Sequence, residues 1–171
     1  MRKSFLIILS ITLALSISTP TAGIAADKNP YGASTVDPAG PNEIILTISK
    51  GSRVSQFAYG RLLKVKSSNI SIYEPFLKKR QTFTVIKLQT LFNFVGIKGK
   101  DKVVTKALND YIFTDTAQHF LDADGYLAIK RDGKAIAYDQ GGPIRIIFPD
   151  NSKWATNLDA WNWSLESIAV K

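Results

Sequence analysis

The stretch YLAIKRDGKAIAYDQGGPIRIIFP, Tyr126 to Pro149, decides how the chain is read. Asp132-Gly133 lies between two β-prone runs, Tyr126–Arg131 and Lys134–Tyr138, and that arrangement is a strong hairpin signal. Gly141-Gly142-Pro143 then turns the chain into Ile144–Phe148, a nearly continuous apolar run that predicts a strand. Pro149-Asp150-Asn151-Ser152 supplies the next turn.

The segments on either side extend this sheet. Ser164–Val170 alternates and predicts the last strand. Upstream, Thr82–Leu88 alternates, with Phe83, Val85 and Lys87 on one side and Thr84, Ile86 and Leu88 on the other. The period then changes. Leu88, Leu91, Phe92 and Val95 follow i, i+3, i+4, i+7, one face of a helix that Gly96 can stop, and they read as core. Lys102–Leu108 and Tyr111–Thr114 are strand-like, and Thr114 or Asp115 can cap a short helix through Leu121. Glu43–Ser49 is β-rich, and Arg53–Lys66 is open between strand and turn. Ser71–Phe76 is a short strand ended by Glu74-Pro75. The expected fold class is α+β: an irregular, mostly-β mixed sheet domain with one or two short helices, over residues 43–171.

The start of the chain reads differently. Arg2 and Lys3 precede an apolar run from Phe5 to Ile17, Pro20 ends it, and Gly23 and Ala25 are small. This is the pattern of a signal peptide, residues 1–25, cleaved after Ala25; the run is short for a bilayer span. Residues 26–42, with Asn29-Pro30 and Asp37-Pro38-Ala39-Gly40-Pro41, read as an extended leader. The expected location is periplasmic or secreted, with no integral membrane segment after cleavage. N-terminal sequencing of the exported protein is expected to return Ala26; a start at Met1 would reject this reading.

A length of 171 residues suits one domain, and 45% apolar with 21% charged residues disfavours disorder. The absence of cysteine excludes a disulfide framework, a zinc–thiolate site, an iron–sulfur cluster and a cysteine nucleophile. Formal net charge is +8, and residues 50–106 carry 13 basic residues against only Glu74 and Asp101. Such a field attracts anions: a membrane surface, an acidic partner, a phosphate or a small carboxylate. A solvated basic face is the plainer account, and nucleic acid is not expected for an exported chain.

His119 is the only histidine. Asp115, Asp122 and Asp124 are near it in sequence, but a surface or packed histidine is the expected reading, and no metal site is assigned. Asp122-Ala123-Asp124-Gly125 lacks the first ligand and the closing glutamate of a calcium loop and reads as a turn. There is no G-x-S-x-G and no glycine-rich phosphate loop. Trp154, Trp161 and Trp163 cluster near the end, where Trp161 and Trp163 would share one strand face. They serve either as core or as a ligand wall.

From Phe83 onward, the order VIKLQTLFNFVGI, LNDYIFTDT, DGYLAIKRDGKAI, GGPIRIIFP and SLESIAV resembles the molybdopterin-binding domain of sulfite-oxidase-type oxidoreductases. Asp132-Gly133-Lys134 with Gly141–Pro149 is the best match. The resemblance implies an irregular sheet-dominated α+β fold. It also implies a molybdenum cofactor held by a cysteine thiolate, which this chain lacks. Where the family often has a cofactor-holding lysine before the final strand, Trp163 stands. Arg145 is retained within the motif, and no catalytic role is transferred to it. Tyr111 follows Asp110 where the family often has "DGY".

Together these readings lead to three expectations. The first is a cofactor-free, exported binding or accessory module that holds a small anionic ligand or docks on a membrane-bound partner. The second is a molybdenum-dependent oxidoreductase or redox subunit with oxygen ligands in place of the thiolate. The third is an interaction domain without a ligand. The candidate ligand-binding residues are Tyr111, Arg145, Trp161 and Trp163, with Arg145 able to grip an anion in bidentate fashion or to pair structurally with an acid such as Asp139.

Overall fold

The computed structural model describes residues 34–171. The signal peptide read at 1–25 and the first part of the leader lie outside the described residues. Among the described residues nine strands form two sheets. Strands β1 (Ile44–Lys50), β2 (Arg53–Ala58), β5 (Lys102–Ala107), β6 (Ile112–Thr116) and β9 (Leu165–Val170) make one, in the order β2-β1-β9-β5-β6. Strands β3 (Ser68–Glu74), β4 (Lys79–Lys87), β7 (Tyr126–Arg131) and β8 (Arg145–Ile147) make the other, in the order β3-β4-β7-β8. Every pairing is antiparallel except β1 with β9, so the first sheet is mixed, as expected.

The helices are α1 (Tyr59–Leu62), α2 (Leu88–Val95) and α3 (Ala117–Asp122), one more than expected; α1 is a single turn within the stretch read as ambiguous. Helix α2 forms where the period changes. Its buried residues are Leu88, Leu91, Phe92 and Val95, and Gly96 caps it at φ 75° while Ile97 N–H donates to the Phe92 carbonyl. Each side chain buried in this way is worth about 1.5–3 kcal/mol. Helix α3 is capped by Thr116, two residues beyond Thr114, because β6 runs on to that residue; its hydroxyl accepts from His119 N–H at 3.4 Å.

Two sequence expectations need correction. The alternation along β4 is interrupted: Val85 and Ile86 are both buried, because a bulge between Thr84 and Val85 shifts the register against β7. Lys134–Tyr138 forms no strand. The Asp132-Gly133 turn is present, but only an Arg131–Lys134 bridge follows it, and the chain winds into a 3-10 turn at Tyr138–Gln140. The leader is also attached where it is described: Ala39 is buried in the core, and Ser34 and Thr35 donate to the Asp139 carboxylate at 2.8 and 2.9 Å.

Tyr59, just after β2, reaches across the core and donates its hydroxyl to the Ile129 carbonyl of β7 at 2.9 Å, tying the two sheets together. Burial raises its pKa. Among the described residues no helix is long and apolar enough to cross a membrane.

Candidate functional site

The site is assembled from three distant turns. The first is the β5–β6 connection. Lys106 reaches Asp110 at 2.9 Å and Glu166 at 3.3 Å, Asp110 takes φ 65°, and Ala107 N–H donates to the Tyr111 carbonyl at 2.9 Å. This tight turn lifts Tyr111 to the rim, 40% exposed, where its hydroxyl donates to the Asp159 carbonyl at 2.9 Å.

The second is the β3–β4 turn. Glu74 ends β3 fully buried, and its carboxylate accepts the Leu77 N–H at 2.6 Å. That bond fixes the turn and holds out Phe76, 43% exposed. Burial raises the Glu74 pKa, while the Leu77 bond and the charges of Arg145 and Arg131 pull it back down.

The third is the segment before β9. It is not a strand, so Trp161 and Trp163 do not share a strand face as expected. A 3-10 turn at Leu158–Ala160 leads into an extended passage tied to β8 by Ile146 N–H to the Asn162 carbonyl (2.9 Å) and Leu165 N–H to the Ile144 carbonyl (3.0 Å). Trp161 is 4% exposed and donates its indole N–H to the Trp154 carbonyl at 3.1 Å. Buried Asn162 donates to the Thr105 hydroxyl at 3.1 Å. These bonds bring both tryptophans to the same hollow.

Phe76 meets both rings edge-on, at 4.4 Å from Trp163 and 6.4 Å from Trp161. Together with Tyr111, Asn109 and Asp159 they line a cleft of about 280 Å³. A further hollow of about 380 Å³ adjoins it across Asn109 and Trp163, which line both.

Three of the four sequence candidates, Tyr111, Trp161 and Trp163, therefore meet in one cleft. Arg145 is fully buried behind the wall, with its guanidinium 4.9 Å from the Trp163 ring and 4.7 Å from the Phe83 ring. The acid that acts on it is Glu74, not Asp139, whose carboxylate is taken by Ser34 and Thr35.

The glycine motif has a steric meaning here. A Cβ on Gly141 would come within 2.9 Å of Trp163, at a backbone φ of +76°, and one on Gly142 within 2.2 Å of the Ile136 carbonyl oxygen. Gly141→Ala is expected to cost about 1–3 kcal/mol, through positive-φ strain and a displaced indole. Denaturant unfolding with tryptophan emission as the probe checks both effects; an unchanged midpoint and an unchanged spectrum would count against them.

Phe76 and Asp159 were missed from sequence. Nothing local marks Phe76 except an exposed aromatic after Pro75 in a polar turn. His119 sits on the surface with its Nδ1 2.7 Å from Asp115, and Asp122-Ala123-Asp124-Gly125 is the turn that ends α3. Among the described residues no group of three His, Cys, Asp or Glu is placed to hold a metal ion. The chain matches no known family model and no curated protein.

Proposed function

We propose that this chain is an exported binding module, with a fold like the molybdopterin-binding domain of sulfite-oxidase-type proteins, that holds a small molecule in the Phe76–Tyr111–Trp161–Trp163 cleft. The observation that carries this reading is the convergence of aromatic side chains from three distant turns. Each is held by bonds or contacts of its own: Glu74 to Leu77 behind Phe76, Tyr111 to Asp159, and Trp161 to Trp154. Exposed aromatic walls preorganised in this manner are costly unless they are used.

Sequence charge alone suggests an anionic ligand. The lining favours an uncharged one: Asp159 stands on the wall, Arg145 lies behind Trp163, and among the described residues no Lys or Arg lines the cleft. The same donor set does not fit a molybdenum cofactor. There is no thiolate in the chain to hold the metal, and the cleft has no cation for a pterin phosphate.

Exposed Leu158 on the cleft wall and exposed Leu108 in the adjoining hollow support docking on a membrane-bound partner as a second use of the same face. Native mass spectrometry and elemental analysis of protein purified from its own host test the proposal. One small molecule is expected to co-purify, without molybdenum, and to be lost in Tyr111→Ala. Stoichiometric molybdenum would overturn the reading.

A further inference from the structure

The aromatic cleft does not end at Trp163. The adjoining hollow, which includes Leu108 and Tyr138, meets a third of about 220 Å³ that shares those two residues and runs along the start of β1 past Glu43 and Glu166. The three hollows make one groove with ring systems along its length. Carboxylates stand at both ends, Asp159 at one and Glu43 and Glu166 at the other. No Lys or Arg lines any of the three among the described residues.

The hydrogen-bonding tips of these aromatic residues are largely used within the protein. Trp161 Nε1 donates to the Trp154 carbonyl, the Tyr111 hydroxyl to the Asp159 carbonyl, and the Tyr138 hydroxyl to the Glu43 carboxylate. The groove therefore offers ring faces together with acceptors. Among the described residues no hydrogen bond reaches the Asp159 carboxylate, and the Asn109 amide beside it has its NH₂ uncommitted.

A ligand suited to this groove must bring apolar C–H faces and many O–H donors, and must carry no charge. An anion meets three carboxylates. A cation is drawn by those carboxylates, but it brings few O–H donors, and buried Arg145 behind the Trp163 ring, 4.9 Å away, opposes it at that wall. A proline-rich peptide brings carbonyl acceptors and few donors, a poor complement for a wall that offers carboxylates and, among its named donors, only the Asn109 NH₂ uncommitted. We infer that the groove takes a neutral saccharide, with sugar rings laid on Tyr111 and Tyr138, hydroxyls donated to the Asp159 carboxylate, and a hydroxyl oxygen accepting from the Asn109 NH₂. This rests on the cleft reading proposed above and names its ligand class.

Saturation-transfer NMR on the purified full chain tests it, with maltotriose, cellotriose, triacetylchitotriose and mannotriose as probes and with tetramethylammonium, inorganic phosphate and decaproline for comparison. The expected result is transfer to the ring C–H protons of at least one trisaccharide, with affinity weakened about tenfold in Asp159→Asn and in Tyr111→Ala. Asp159 is exposed, so its variant keeps the fold and the loss reads binding alone. If decaproline, tetramethylammonium or phosphate binds in a Tyr111-dependent manner and no trisaccharide does, the saccharide assignment falls and the cleft reading stands. If no probe binds, the saccharide assignment falls as well, and the co-purification experiment alone decides the cleft.

Discussion

Arg145→Ala is expected to cost about 3–5 kcal/mol of folding stability, with the loss growing as pH rises. Arg145 is fully buried between the Phe83 and Trp163 rings, and its charge acts on the equally buried Glu74. Truncation removes the cation and the stem that supports Trp163, and it leaves Glu74 with Arg131 as its remaining cationic influence. Burial already holds the Glu74 pKa above its ordinary value, and Arg145 lowers it, so the variant's pKa moves further up.

The folded variant then keeps a proton that the unfolded chain has released. Stability falls as pH climbs from the ordinary carboxylate pKa through the raised folded one. Urea unfolding at about pH 5 and about pH 8 reads this directly, with the larger deficit at the higher pH. The double variant Arg145→Met, Glu74→Gln restores part of the loss. It removes both charges while Gln keeps an acceptor for Leu77 N–H. A single-variant cost below about 1 kcal/mol, or one independent of pH, would remove the buried pair from the account.

That pair also shows where sequence reading stops. An arginine between apolar neighbours in Ile144–Phe148 is legible as part of a strand, but the acid whose charge it acts on, Glu74, is far away in the chain and comes within electrostatic range only in the fold. Helix α2 was legible because its buried stripe is a local period that Gly96 closes. Strand β2 was not: Arg53–Ala58 buries only Phe57, and its strand character comes from pairing with β1.

The hairpin at Asp132-Gly133 was half legible. Turn chemistry is local, but the second arm is diverted by contacts the sequence does not announce. Arg131 is bonded to Gln140, and the Gly142 backbone packs against Ile136. The site divides in the same way. Trp161, Trp163 and Tyr111 stood out as large amphipathic side chains, whereas Phe76 is placed by a carboxylate cap on its own turn and by rings more than eighty residues downstream.

Trp161→Ala is expected to lose both stability and ligand, because this side chain is core and wall at once. It is 4% exposed, packs edge-on to Phe148 at 6.1 Å and Phe76 at 6.4 Å, and satisfies the Trp154 carbonyl through its indole N–H. Removing it should cost about 3–5 kcal/mol in cavity and lost contacts. Tyr111→Ala makes the opposite case. Its ring is 40% exposed and gives up one hydrogen bond to a carbonyl that water can reach, a loss of about 1 kcal/mol. If the cleft binds a ligand, both variants lose it, but only Trp161→Ala melts far below wild type. Thermal melting of the two variants and wild type, with and without the co-purifying molecule, separates the contributions. A wild-type melting temperature indifferent to that molecule, with Tyr111→Ala as stable as expected, would leave Trp161 as core alone and return the domain to a purely interacting role.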